Sequence, residues 1–167
     1  VFSSNGVTTI KDITDDSDGN FQKLMRNNPF AFLAKRVVVC EGKTEIGLLR
    51  GLDKYWQGKG EMGIWSYGVV AVHGGGDSSF EMAKRFHKLK YQVAWWGDSD
   101  LQTTDVKKNE LRGLGITVID WADSANLEDR LFADIPWQGV KELVEHAIDL
   151  HGEQSIGDQV NGMYPNI

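Results

Sequence analysis

The sequence predicts an α/β fold, in which a parallel sheet of about four strands is flanked by helices and followed by a helical C-terminal segment. Short apolar, β-branched runs recur between amphipathic stretches, a pattern typical of βαβ units. Hydrophobic residues make up 41% of the 167 residues, a share typical of a globular protein. No apolar run approaches the roughly 18 residues that a membrane span needs.

The first two strand–helix units follow a lead-in that has one short helix near residues 21–26. Residues 36–40 (Arg-Val-Val-Val-Cys) are apolar and β-branched, which suits a buried strand. Leucines recur at helical spacing over residues 44–57, so a helix is predicted there. The second strand is predicted over residues 67–72. The helix after it spans residues 78–90, where phenylalanine and alanine form the apolar face.

The next two strands are predicted over residues 91–96 and 115–120, and a helix over residues 105–114 joins them. All of these strands are short and apolar, as expected for strands that helices cover. The remaining predicted segments are two helices and a loosely held tail: residues 127–132, 140–150 and 152–167.

The chain divides into three predicted segments. Residues 1–33 are a lead-in from an upstream domain, residues 34–135 form a catalytic domain, and residues 136–167 are a helical segment with a loose tail. The sequence begins at Val1, and we expect it to be a piece of a longer protein. Its single cysteine, Cys40, cannot form an internal disulfide, which favours a reducing compartment such as the cytoplasm.

The charge balance restricts the function classes. The chain carries 18 basic and 24 acidic residues, a net charge of −6. This argues against a protein that coats DNA, because such a protein normally presents a basic face. An enzyme that meets phosphates through bound metal ions is not excluded, since its clustered carboxylates add to the negative count.

Carboxylates follow the first and third predicted strands, at the sheet edge where α/β proteins bind ligands. Glu41 follows the first strand, and Glu45 lies on the otherwise apolar stripe of the next helix. Asp98 and Asp100 follow the third strand and would repel each other unless a cation or a proton separated them. Oxygen ligands of this kind suit Mg²⁺ or Mn²⁺. The alternatives are a helix-dipole role for Glu45 and a polar turn at the two aspartates.

The second strand ends in His73-Gly-Gly-Gly76, directly before a helix. Three glycines allow backbone N–H groups to approach a phosphate, although the spacing matches neither a dinucleotide fingerprint nor a P-loop. A cluster of basic residues follows, for which a solvated helix face is the alternative. The candidates for contact with phosphate or DNA are Gly75, Gly76, Ser78, Lys84, Arg85 and Lys88.

These motifs together resemble a Toprim domain, a Rossmann-like metal-binding fold found in topoisomerases, bacterial-type primases and several nucleases. An apolar strand ending in Glu-Gly, a glycine-marked second turn and a third strand ending in Asp-x-Asp carry the resemblance. The finer resemblance is to the overcoming-lysogenization-defect (OLD) family of nucleases. It rests on four segments: residues 32–45, 73–76, 97–101 and 126–132.

The resemblance implies an endonuclease or nickase that hydrolyses DNA with two Mg²⁺ or Mn²⁺ ions. It also implies an ABC-type ATPase domain N-terminal to this one in the parent chain. The implied catalytic residues are Glu41, Asp98 and Asp100. The implied metal ligands are these three together with Glu45 and Glu128.

Two alternatives stay open. Members of the family carry a later catalytic lysine, and we find no counterpart after Lys141. A degenerate Toprim module that binds DNA or a partner without cleavage is therefore one alternative. The other is a phosphatase of the haloacid-dehalogenase type, in which Asp98 and Asp100 would be nucleophile and acid, although that motif normally follows the first strand of its fold.

Overall fold

The computed structural model divides the chain into two compact units, Val1–Leu127 and Glu128–Ile167. The residues that it describes are 2–4, 7–9, 20–99, 105–121 and 124–163. Within these ranges, no helix is both long and apolar enough to cross a membrane.

The elements of the first unit follow the predicted alternation of strands and helices. Its strands are β1 (Phe2–Ser4), β2 (Val7–Thr9), β3 (Arg36–Cys40), β4 (Val69–His73), β5 (Gln92–Trp96) and β6 (Thr117–Ile119). Its helices are α1 (Asn20–Asn27), α2 (Lys43–Gly58), α3 (Ser78–Lys88) and α4 (Asp105–Gly113), with short 3₁₀ helices at Pro29–Leu33 and Ile64–Tyr67. The helices that continue into the second unit or lie within it are α5 (Leu127–Asp134), α6 (Trp137–His151) and α7 (Glu153–Met163).

The main sheet has four parallel strands in the order β4-β3-β5-β6. Helices α2, α3 and α4 contact its strands. The predicted fold class is therefore confirmed: an α/β unit with a four-stranded parallel sheet flanked by helices, and a helical C-terminal part. The register places Cys40 opposite both His73 and Trp96, so the carboxyl ends of the three strands lie level.

The core forms on the sheet face that α3 covers. Val39, Val72 and Trp95 are paired across three strands and are almost fully buried. The Phe80 ring stacks on Trp95 with 4.6 Å between the ring centroids. Phe86, one helical turn and a half further along α3, is also fully buried. This packing anchors β5, which carries the first aspartate of the Asp-x-Asp motif at its end.

Apart from shifts of up to three residues at the ends of other elements, such as β6 and α6, three features differ from the sequence prediction. The antiparallel pair β1–β2 was not predicted, because each strand has only three residues. Strand β4 begins at Val69, two residues later than predicted, because the preceding residues form a 3₁₀ helix. The predicted loose tail contains helix α7, in which the Gln154 side chain donates to Asp158 at 3.1 Å, a contact across one helical turn.

Candidate functional site

The carboxyl ends of β3 and β5 lie side by side at the switch point of the sheet. The connection after β3 leads to β4 at one edge, whereas the connection after β5 leads to β6 at the other edge. In open α/β sheets, the crevice outside two such strand ends is where ligands bind. Glu41 and Asp98 follow these two strands, so both lie at the position where this fold binds ligands.

Glu41 and Asp98 are joined by hydrogen bonds. The Glu41 N–H donates to the Trp96 carbonyl at 2.8 Å, which extends the ladder beyond β3. The Asp98 N–H donates to Glu41 Oε2 at 3.0 Å, and Asp98 Oδ1 accepts from the Leu127 N–H at 2.8 Å. Both acidic residues are half-buried. The structure therefore brings these two predicted site residues together and orients their carboxylates with backbone amides.

Gly97 is the reason why the two acids can approach so closely. A Cβ at this position would overlap Glu41 Oε2 and would lie 2.6 Å from two ring carbons of Trp95. Only a hydrogen atom fits there. We did not single out Gly97 from the sequence, although a glycine directly before an Asp-x-Asp motif was a signal for it.

Glu45 caps helix α2. Its side chain is buried, with 3% of the residue exposed, and its Oε2 accepts the Gly42 N–H at 2.8 Å. Such a hydrogen bond, from the backbone N–H of the N-cap residue to the side chain of the third helical residue, belongs to the capping box that stabilises many helix N-termini. Burial, together with the charge of Glu45, raises the pKa of the Cys40 thiol to about 12. The predicted role of Glu45 in metal binding stays a prediction beside this structural role.

Asp100 and Glu128, the remaining predicted metal ligands, stay predictions. Asp100 lies outside the described residues. Glu128 is exposed in the first turn of α5 and belongs to the second unit. Among the described residues, no group of three or more His, Cys, Asp or Glu side chains is placed to hold a metal ion. Glu41 and Asp98 supply oxygen donors of the type that Mg²⁺ and Mn²⁺ prefer, and they fit such an ion as part of its ligand set.

The glycine loop after β4 is tied to the end of β3. The Gly74 N–H donates to the carbonyl of the last β3 residue at 2.7 Å, and the Gly76 N–H donates to the Glu41 carbonyl at 2.9 Å. Gly75 and Gly76 both have positive φ angles, which glycine adopts without strain. The Ser78 hydroxyl donates back to the Gly74 carbonyl. The Gly76 N–H, predicted to face a phosphate, thus bonds to the backbone of the acidic residue.

The basic candidates on α3 have different surroundings. Lys84 Nζ lies 2.8 Å from both Glu81 and Glu110, and the hydrogen bonds to Glu110 and then Glu81 raise its pKa. Lys88 is the last residue of α3 and is exposed. Arg85 is half-buried and lines a cavity beside the glycine loop. Arg85 is therefore the basic side chain of this set that lies next to the loop.

Sequence reasoning missed Lys108 on α4. It is fully buried, and its Nζ donates to the Ser99 hydroxyl at 3.1 Å and lies 3.4 Å from Asp120 Oδ2. The ammonium also lies 5.8 Å from the centre of the Trp95 ring, and Arg112 contacts the same Asp120 oxygen at 3.0 Å. Ser99 is the middle residue of the Asp-x-Asp motif, so Lys108 ties this motif to α4. Its position three residues before the buried Leu111 was the signal that this lysine faces the core.

The resemblance to Toprim domains rests on the sequence motifs alone. Comparison with protein-family models, with curated proteins and with solved structures finds no match. A function is therefore inferred from the residues and contacts described above.

Proposed function

We propose that this chain is a Toprim-type nuclease domain of the OLD kind, which hydrolyses phosphodiester bonds of DNA with Mg²⁺ or Mn²⁺. The observation that carries the proposal is the hydrogen-bonded pair of Glu41 and Asp98 at the switch point of the sheet. The Asp98 N–H holds the Glu41 carboxylate beside the residue that carries the second carboxylate, and a cation bound by both acids would offset the repulsion between their charges. A pair that serves only as a polar turn would not need both acids in one half-buried place.

The proposed roles rest on the resemblance and, for Glu41 and Asp98, also on their position at the switch point of the sheet. Glu41, Asp98 and Asp100 act as the catalytic metal ligands, and Glu45 and Glu128 are additional ligands. Two divalent cations would supply an activated water and would neutralise charge on the phosphate. The backbone N–H of Asp98 orients the Glu41 carboxylate, and the N–H of the first α5 residue orients that of Asp98.

Three further parts of the proposal rest on the sequence. The resemblance implies that DNA is the substrate, and if its phosphates are met mainly through the cations, cleavage has little sequence preference. The resemblance also implies that an ABC-type ATPase domain precedes this domain in the parent chain. The single cysteine favours action in the cytoplasm.

Thermal melting with Mg²⁺ or Mn²⁺ tests the metal site directly. At a cation concentration of 100 Kd, binding stabilises the wild type by about 2.7 kcal/mol, which raises Tm by roughly 5–11 °C for a chain of this length. Glu41→Gln and Asp98→Asn keep the shape of each side chain and remove its charge, so both should lose most of this shift. Glu61→Gln is the control, because Glu61 is an exposed acid remote in sequence from the motifs.

Plasmid nicking by the same variants tests the reaction. We expect nicking by the wild type and by Glu61→Gln, and loss of nicking in Glu41→Gln and Asp98→Asn. Equal metal shifts in the wild type and both site variants would overturn the metal site. Metal binding without nicking would favour the degenerate module, and metal-dependent hydrolysis of p-nitrophenyl phosphate in place of nicking would favour the phosphatase.

A further inference from the structure

A cavity of about 370 Å³ lies between α1, the glycine loop after β4 and α3. Lys23 and Asn27 of α1 and Arg85 of α3 line it. His73 and Gly75, at the end of β4 and in the loop that follows, line it as well. We call this cavity the basic groove. Its volume is within the range of small-ligand sites in proteins.

Among the residues that the structure describes, the basic side chains of this groove form no ion pair. This holds for Lys23, His73 and Arg85. The acid that also lines the groove, Glu81, is bound to Lys84 at 2.8 Å. In a chain with a net charge of −6, two cations that line one cavity without an ion pair to a described residue favour an anionic ligand.

The glycine loop links the groove to the carboxylate pair. Gly74 and Gly75 of this loop line the groove, and the same loop donates its Gly76 N–H to the Glu41 carbonyl at 2.9 Å. A ligand in the groove therefore lies against a loop that is bonded to the backbone of Glu41. An anion that extends from one place to the other must carry more than one charged group, and a nucleic acid strand has this property.

We propose that the basic groove binds a phosphodiester of single-stranded DNA, next to the phosphate that lies at the carboxylate pair. The guanidinium of Arg85 would donate two hydrogen bonds to the phosphate oxygens. The ammonium of Lys23 would contact the same phosphate from α1. This inference rests on the proposed function for the position of the reacting phosphate, but not for the binding of DNA by the groove.

Fluorescence anisotropy with a 5′-labelled single-stranded oligonucleotide tests this inference. The measurement uses Ca²⁺ as the cation and a series of salt concentrations. For single strands, the salt slope falls by about 0.7 for each phosphate that is no longer neutralised. Because Lys23 and Arg85 contact the same phosphate, Lys23→Gln/Arg85→Gln should lower the slope by about 0.7. Between 50 and 200 mM salt, the wild-type affinity should then fall about 2.6-fold more than the affinity of the double variant.

The matched control is Lys54→Gln, which removes one positive charge from the exposed surface of α2, outside the groove. Its salt slope should equal that of the wild type. An unchanged slope in the double variant would overturn the inference, as would an equal loss in the control. Competition by inorganic phosphate or a deoxynucleoside monophosphate at the concentration of the oligonucleotide would also overturn it, because the groove would then be a small-anion site.

The two proposals fail separately. If the salt slope of DNA binding is lower in the double variant, but neither the wild type nor any variant nicks plasmid DNA, the groove binds DNA and the proposed nuclease activity is wrong. If nicking depends on Glu41 but the slope is unchanged, the nuclease proposal stands and the groove inference is wrong.

Discussion

Replacing Gly97 with alanine tests whether the space at this glycine is what builds the carboxylate pair. The new methyl group would overlap Glu41 Oε2 and would lie 2.6 Å from ring carbons of Trp95. Glu41 can move away, but it then loses the hydrogen bond from the Asp98 N–H. Trp95 cannot move easily, because it is fully buried, stacks on Phe80 and donates a hydrogen bond from its indole to a buried serine.

The expected cost combines these two effects. Forcing a methyl group into a well-packed core costs about 1–3 kcal/mol, and losing a hydrogen bond to a charged group costs about 1.5–3 kcal/mol. We expect Gly97→Ala to lower the free energy of unfolding by about 3–5 kcal/mol. For a chain of this length, that corresponds to a fall in Tm of roughly 6–20 °C.

Thermal melting with and without Mn²⁺ measures both consequences. Gly97→Ala should melt lower than the wild type in chelator, and Mn²⁺ should stabilise it less because Glu41 is displaced. Gly51→Ala is the control: Gly51 lies inside α2 with nothing within 4 Å of the added Cβ. Alanine in a helix interior is favoured over glycine by about 0.5–1 kcal/mol, so the control should melt slightly higher.

One result would refute this reasoning. If Gly97→Ala melts with the wild type in chelator and gains the same shift from Mn²⁺, the contact between Gly97 and Glu41 does not shape the site. A lower Tm in chelator together with the full Mn²⁺ shift would refute only the expected loss of metal binding, because Glu41 would then not be needed to bind the metal.

Two other predictions concern buried ionisable groups. Because burial raises the pKa of Cys40 from 9.0 to about 12, its contribution to stability is fully present below pH 9 and is lost as the pH rises toward 12, at up to about 1.4 kcal/mol per pH unit. In urea unfolding at pH 8 to 11, stability should therefore fall more steeply with pH in the wild type than in Cys40→Ala, which keeps only the slope of other groups such as Lys84. Asp120→Ala should lower the free energy of unfolding by roughly 3–5 kcal/mol, because it leaves the buried ammonium of Lys108 without its carboxylate. Lys108→Met should lower it by only about 1–3 kcal/mol, because Asp120 stays paired with Arg112. Thermal melts that rank the two variants in the opposite order would show that Lys108 is not held by Asp120.

The layout of the sheet could be predicted from the sequence because its strands are covered and therefore apolar. Strand β3 begins and ends at the predicted residues, since Arg36-Val-Val-Val-Cys40 is bounded by polar residues on both sides. The place of Glu41 and Asp98 at one edge followed from parallel pairing alone. That these two residues share a hydrogen bond did not follow, because it depends on the register of β3 against β5.

The roles of individual side chains could be predicted less well, for physical reasons. Lys108 is a charged residue on an amphipathic helix, and such residues are rarely buried unless they are paired. Its contacts with Ser99, Asp120 and the Trp95 ring account for its position, and these contacts depend on the tertiary structure. Glu45 was recognised as a carboxylate on an apolar stripe, but the sequence could not distinguish capping from metal binding. Both outcomes put the same residue type in the first helical turn.

The glycine loop explains how one chain can present acids and cations so close together. The loop bonds to the end of β3 and to Glu41 through the backbone N–H groups of Gly74 and Gly76, so this link does not use the charged side chains of the basic groove. Removing the charges of Lys23 and Arg85 should therefore leave the metal-dependent shift in Tm unchanged while weakening DNA binding. Conversely, Glu41→Gln keeps its backbone carbonyl and hence the Gly76 hydrogen bond, so it should leave the groove intact. A groove variant that lost the metal shift would show that the two places are coupled through side chains and not through this loop.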